Sequence, residues 1–285
     1  MTTDGVIDIW CNPFTHEALE EFASSQAADV AAKLFNREYM YDAGQTALTP
    51  DEFVTKMDDN GVEQAFIPAL QFGDPDGGMQ IDIPYDLVQD ICETHPDRFK
   101  GMAGINPREG MDGVRRLEEF VIDHGFIAGH LEPYGWDRPL NHRQLYPFYT
   151  KCAELGVPVV MQVGHSAMKM PSKHGKPLLV DELALDFPEL KIVASHTGWP
   201  WSKELEALAW KHSNVYLATT AHAPKYWEEN VVQFVRSRGR DKSLFGTDWP
   251  VIEYEEALSQ LADYDFDPEV KRKLLRENAK SVFGI

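Results

Sequence analysis

Short β-branched runs recur along this chain, each closing on a polar loop and followed by a stretch with apolar residues at helical spacing. Nothing else in the sequence limits the fold as strongly. The runs are VIDIW (6–10), QAFIPA (64–69), FKGMAGI (99–105) and FIAGHLE (126–132), then PVVMQVG (158–164), KIVASH (191–196), VYLATT (215–220) and SLFGTDWP (243–250). Segments between them, such as DGVRRLEEFVIDHG and LYPFYTKCAELG, read as amphipathic helices. Gly61, Gly125 and Gly156 stand where a helix stops before the next strand, the place of a left-handed C-terminal cap. Eight strands alternating with helical connections is the count of a single-domain α/β barrel, the (β/α)8 TIM barrel. A doubly wound open sheet shares the alternation, but WCNPFT after the first run has no glycine-rich phosphate turn, so no nucleotide cofactor is expected. The 285 residues fit one such domain over 1–285. The first loop, residues 11–49, is long and aromatic (FNREYMYDAG) and is expected to form a lid or a subunit contact.

A formal net charge of −19 argues against nucleic acid and anionic membranes as partners, since both would repel the chain. Cys11, Cys92 and Cys152 lie far apart with no CxxC pair, which points to a reducing compartment. The opening MTTDGVIDIW lacks a basic region followed by an apolar one, and no apolar run approaches the roughly 18 residues of a membrane span. The expectation is a soluble, cytoplasmic protein.

In a barrel of this kind function belongs at the C-terminal ends of the strands. His165 directly follows the fifth run, His196 closes the sixth, and Asp248 lies in the turn of the eighth. His130 and Glu132 alternate with apolar residues near the end of the fourth, so both point the same way. Each has a plain alternative: a strand-end histidine often only packs, and an aspartate after Gly-Thr is a common turn residue. Their coincidence at one mouth favours a site, and imidazole plus carboxylate suits zinc, iron or manganese. Trp136, Trp199, Trp201 and Trp249 suggest a substantially apolar pocket, though core packing accounts for most of them equally well.

Several stretches make the likeness specific: GVIDIW, GVPVVMQVGHS, FPELKIVASHTGWPW, HSNVYLATTAH, SLFGTDWP and the closing ENAKSVFG. In this order, over nearly the whole chain, they resemble the amidohydrolase superfamily, in particular the amidohydrolase-related branch that includes aminocarboxymuconate-semialdehyde decarboxylase. The resemblance implies a hydrolase or non-oxidative decarboxylase acting on a small carboxylated or cyclic substrate with a divalent metal. It makes His165 a metal ligand, and Asp248 a ligand or the carboxylate that deprotonates a metal-bound water. His196 would polarise substrate, or contact that water or a second metal. The chain departs from the pattern at strand one, where the family's two imidazoles are replaced by Trp10 and Asn12. An indole nitrogen only donates, while Asn12 offers a weak neutral oxygen. At strand four HLEP stands where relatives often show KLHP, so His130 and Glu132 are candidate replacement ligands or substrate contacts, and Trp10 and Trp199 are candidate substrate contacts.

Three readings stay open. The first is an active enzyme with an altered metal site, acting as a homodimer. The second is a companion subunit in a hetero-oligomer with a related amidohydrolase-fold chain, in the manner of a 2-aminoisobutyrate hydroxylase-type oxygenase. The third is a metal-free catalyst or small-molecule binder using His196 and Asp248 as an acid/base pair.

Overall fold

The computed structural model describes residues 5–34 and 37–285. The first four residues of MTTDGVIDIW, and Phe35 and Asn36 within FNREYMYDAG, lie outside the described residues. Each of the eight β-branched runs forms a strand. These are β1 (Val6–Asp8), β2 (Val62–Pro68), β3 (Phe99–Gly104), β4 (Ala128–Leu131), β5 (Val159–Gln162), β6 (Ile192–Ser195), β7 (Val215–Ala218) and β8 (Ser243–Leu244). They pair in parallel in sequence order, with helices returning the chain between them. Parallel neighbours joined this way make the (β/α)8 barrel. Gly61 and Gly156 end their helices in the left-handed conformation (φ 70° and 71°), which costs a glycine nothing. Gly125 is also left-handed, one residue past the cap residue His124.

The seam between β8 and β1 is built differently from the other seven. β8 holds only two ladder residues before the chain bends through Gly246, Thr247 and Asp248. Backbone bonds beyond the strands complete the circle: Ile9 N–H donates to Phe245 O (3.2 Å), Asp248 N–H to Trp10 O (2.8 Å) and Asn12 N–H to Trp249 O (2.9 Å). Buried Asp8 adds a side-chain cross-link. Its Oδ1 accepts from the N–H groups of Thr247 (2.9 Å) and Trp10 (3.1 Å), and its Oδ2 accepts from the Thr247 hydroxyl (2.6 Å). Burial pushes the Asp8 carboxyl up to about 6 despite these bonds.

Ile7, Phe66, Met102, Val160, Val193 and Leu244 fill the barrel interior, and the last helix, Asn278–Phe283, closes its N-terminal end. Phe283 packs edge-on against Phe66 with ring centroids 4.8 Å apart. The C-terminal end is therefore the open one. Over it lie the first-loop helices His16–Ala23 and Gln26–Leu34, with Ala43–Thr46 packed against the first of them. A hairpin not foreseen from the sequence, Gln71–Gly73 paired antiparallel with Met79–Asp82, joins them. Its strands are too short to register as β runs; the Asp74–Gly78 turn, with Asp74 N–H donating to Gly78 O (2.8 Å), sets the reversal. Among the described residues no helix is long and apolar enough to cross a membrane.

Candidate active site

A cavity of about 620 Å³ occupies the open end of the barrel. Trp10 and Asn12 reach it from β1, Glu132 from β4, His165 from the turn after β5, His196 from the end of β6, His222 from the loop after β7, and Asp248 from the bend after β8. Leu70, Phe72 and Ile81 of the hairpin region, with Phe22, Val30 and Tyr41 of the first loop, supply apolar walls. Trp199 lines the mouth beside His165, with ring centroids 4.7 Å apart. Trp136, Trp201 and Trp249 do not line the cavity; Trp136 and Trp249 are buried in the packing between the barrel and its outer shell.

The backbone is strained where the chemistry would be. His196, Thr197, Ala221 and Asp248 all carry left-handed φ angles (62°, 53°, 62° and 56°) without being glycine. Each such residue costs on the order of 1–3 kcal/mol, and such strain concentrates at functional sites. It aims the His196 and Asp248 side chains at one another: His196 Nε2 lies 3.6 Å from Asp248 Oδ2. The other imidazole nitrogen is held from behind. Thr220 Oγ1 accepts the His196 N–H (3.0 Å) and stands 2.8 Å from Nδ1, with Ser195 Oγ at 3.2 Å. The Thr220 hydroxyl carries one proton and two lone pairs, so it can donate to Nδ1 or accept from it, whereas Ser195 Oγ already donates to Met161 O (3.0 Å).

Burial sets the charge of the cavity. It pushes the carboxyls of Asp248 and Glu132 well above the usual carboxylate range; the bond from Asn12 partly offsets this at Asp248, while the nearness of Asp248 adds to it at Glu132. Burial drives His196 well below the ordinary histidine value, with neighbouring His222, His130 and His165 reinforcing it. His222 falls to about 4 through burial and the nearby His165, and His165 is lowered by burial alone. At each of these groups burial disfavours the charged form.

Trp10 and Asn12 form a chain of hydrogen bonds onto the acid. The Trp10 indole N–H donates to Asn12 Oδ1 (3.1 Å), and Asn12 Nδ2 donates to Asp248 Oδ1 (2.8 Å). His130 does not line the cavity. It is buried beneath Trp10, ring centroids 4.1 Å apart and nearly perpendicular, and neither ring nitrogen has a hydrogen-bond partner. Glu132 reaches the cavity, yet its buried Oε2 is also unpartnered.

The ligand set expected for a divalent cation, His165, Asp248, Asn12 and His196, shares the cavity but does not converge. Among the described residues no group of three or more His, Cys, Asp or Glu side chains stands close enough to hold a metal ion. The Asn12 oxygen expected as a weak ligand accepts from the Trp10 indole N–H. A catalytic zinc keeps three protein ligands, and the donors here do not provide them. Two residues absent from the sequence reading belong to the site. His222, in the quoted stretch HSNVYLATTAH, follows the seventh run as His165 follows the fifth, and Thr220 precedes it as the partner that fixes His196.

The amidohydrolase family model matches residues 7–285. A gamma-resorcylate decarboxylase of Rhizobium sp. is 23% identical over 324 aligned positions, covering 94% of this chain and 98% of the relative. Among solved structures, an uncharacterised TIM-barrel protein from Bordetella bronchiseptica superposes with a TM-score of 0.79 at 24% identity, covering 98% of both chains. A dihydroxybenzoic acid decarboxylase from Polaromonas sp., solved with manganese and 2-nitroresorcinol, superposes with a TM-score of 0.75 at 18% identity, covering 99% of this chain and 97% of that one. With the family match spanning nearly every residue of the barrel, this chain belongs to the amidohydrolase family.

Proposed function

We propose that the chain is a non-oxidative decarboxylase of a small carboxylated ring, with Asp248 as the proton donor. One observation carries the reading: a buried carboxyl, whose proton burial makes harder to lose, stands at the floor of an apolar-walled cavity, 3.6 Å from His196 Nε2. The likeness over nearly the full chain to decarboxylases of hydroxylated aromatic acids supports it.

The chemistry needs an acid more than a nucleophile. Protonation of the ring carbon that bears the carboxylate interrupts the ring's conjugation. The bond to the carboxylate carbon then breaks, its electron pair restores the ring, and carbon dioxide leaves. Asp248 ends as a carboxylate and regains its proton from solvent, so the balance is one acid anion plus one proton giving the decarboxylated ring and carbon dioxide. Asn12 donates to Oδ1, which leaves the proton on Oδ2, the oxygen facing the cavity and His196. At 3.6 Å the imidazole is too distant to capture that proton in a hydrogen bond. With its ring proton on Nε2, His196 would offer an N–H to the substrate carboxylate, and a positioned acid such as Asp248 contributes about 10²–10⁴-fold in rate.

The test is a panel of hydroxybenzoic acids that includes gamma-resorcylate, followed by carbon dioxide release. In deuterated water the expected product carries one deuterium at the vacated ring carbon. Hydrolysis of a cyclic ester or amide with no carbon dioxide evolved would overturn the assignment.

A further inference from the structure

We infer that Trp10 and Asn12 take the place of a metal centre, holding Asp248 through hydrogen bonds and closing the mouth of the barrel to a catalytic cation. Three features carry this. First, the chain of bonds from Trp10 to Asn12 to Asp248 has one possible direction. An indole nitrogen can only donate, so the amide oxygen of Asn12 must face it and the amide NH₂ must face Asp248. That oxygen is turned to the indole and away from Asp248, and the NH₂ that faces Asp248 repels a cation. A second contact from the same NH₂ to the Asp248 carbonyl, at 3.5 Å, fixes the acid from its backbone side as well.

Second, the indole ring separates the remaining donors. Its centroid is 4.1 Å from that of His130 and 5.0 Å from that of His196, so the aromatic body sits against both imidazoles. Trp10 is 2% exposed, and the His130 nitrogens below it have no partner. A metal using His130 would have to displace a buried tryptophan. Third, the orientation suits a protonated acid as well as an ionised one. Asp248 Oδ1 accepts from Asn12 in either state, so the acid keeps its place through a cycle in which it loses and regains a proton. Asn12 is therefore a positioning residue, and Trp10 positions Asn12.

This inference concerns what holds the acid, and its test reads metal occupancy, so it can fail while the decarboxylase reading stands, and the reverse. Protein purified without chelators is analysed for metal content, then titrated with Mn(II) while the electron paramagnetic resonance signal of the free ion is followed. The titration is repeated on the double variant Trp10→His/Asn12→His. The expected result is metal well below one equivalent in the native chain and an undiminished Mn(II) signal. In the double variant Mn(II) affinity should rise by at least about tenfold, the scale on which even outer-shell changes move metal binding. Stoichiometric metal in the native chain overturns the inference. Failure of both proteins to bind overturns it too, because Trp10 and Asn12 would then not be what excludes the ion. Should the double variant not fold, tryptophan-labelled native protein decides. The Trp10 indole N–H resonance, identified by its loss in Trp10→Phe, must shift in Asn12→Ala, and an unmoved resonance removes the proposed bond.

Discussion

Two pairs of side chains at strand ends, in contact through Trp10 and His130, differ in how their polar atoms are satisfied. Just past β1, the Trp10 indole N–H, the Asn12 oxygen and the Asn12 NH₂ each have a partner, in one another or in Asp248. On β4, His130 has no partner at either nitrogen and Glu132 none at Oε2, although both residues are buried. An unpartnered buried polar group costs about 1–3 kcal/mol, so the β4 pair is a liability for folding while the β1 pair is neutral or better. The difference separates two ways of spending stability near a site. β1 uses it to hold the acid; β4 keeps a carboxyl open to the cavity and an imidazole under the indole with nothing to bond.

The largest effect should come from the residue on which the satisfied pair converges. Asp248→Asn keeps an oxygen for Asn12 to donate to but has no acidic proton. Turnover of whichever acid the assay identifies should fall by about 10²–10⁴-fold with the thermal unfolding curve little changed. Activity within a few-fold of native would mean that the Trp10–Asn12 chain orients a bystander.

The next prediction attacks the unsatisfied pair. His130 has its folded pKa lowered to about 3 by burial, against an ordinary value of 6.5. Below 6.5 the unfolded chain binds a proton that the folded chain refuses until about 3, so native stability is lost as pH falls through that window. His130→Phe abolishes this term and removes two orphaned nitrogens. In chemical unfolding its advantage over native protein should widen by about 2 kcal/mol between pH 7 and pH 5, on top of about 1 kcal/mol at neutrality. A gap that does not grow on acidification would mean that His130 is solvated or paired. Asn12→Ala should have the opposite sign at neutral pH, costing about 2 kcal/mol because the indole N–H loses its acceptor and Asp248 a donor.

How much of this was legible beforehand follows from the range over which each feature acts. All eight strands could be read because β-branched runs and helical spacing are local patterns. Even so, SLFGTDWP shrinks to a two-residue strand, because Asp8, far away in sequence, replaces the ladder with its own side chain. His196 and Asp248 were legible as strand-end residues; their left-handed backbones were not, since non-glycine residues enter that region only under tertiary constraint. Asn12 could be seen as a lost imidazole. That its oxygen belongs to Trp10 and its nitrogen to Asp248, 236 positions away, depends on a closure no local pattern records.

The smallest effect is also the most specific to the β1 pair. Trp10→Phe keeps an aromatic ring against His130 and His196 but removes the indole N–H, and it opens some space as well, so the single variant mixes a lost bond with lost packing. Pairing it with Asn12→Ala in a double-mutant cycle separates the two. If the bond from Trp10 to Asn12 is what matters, its loss is counted in each single variant but only once in the double. The coupling should be about 1 kcal/mol, within the 0.5–3 kcal/mol found for residues in one network. Strict additivity would make the two residues mere neighbours, and β1 would then differ from β4 in packing but not in any bonded device that holds the acid.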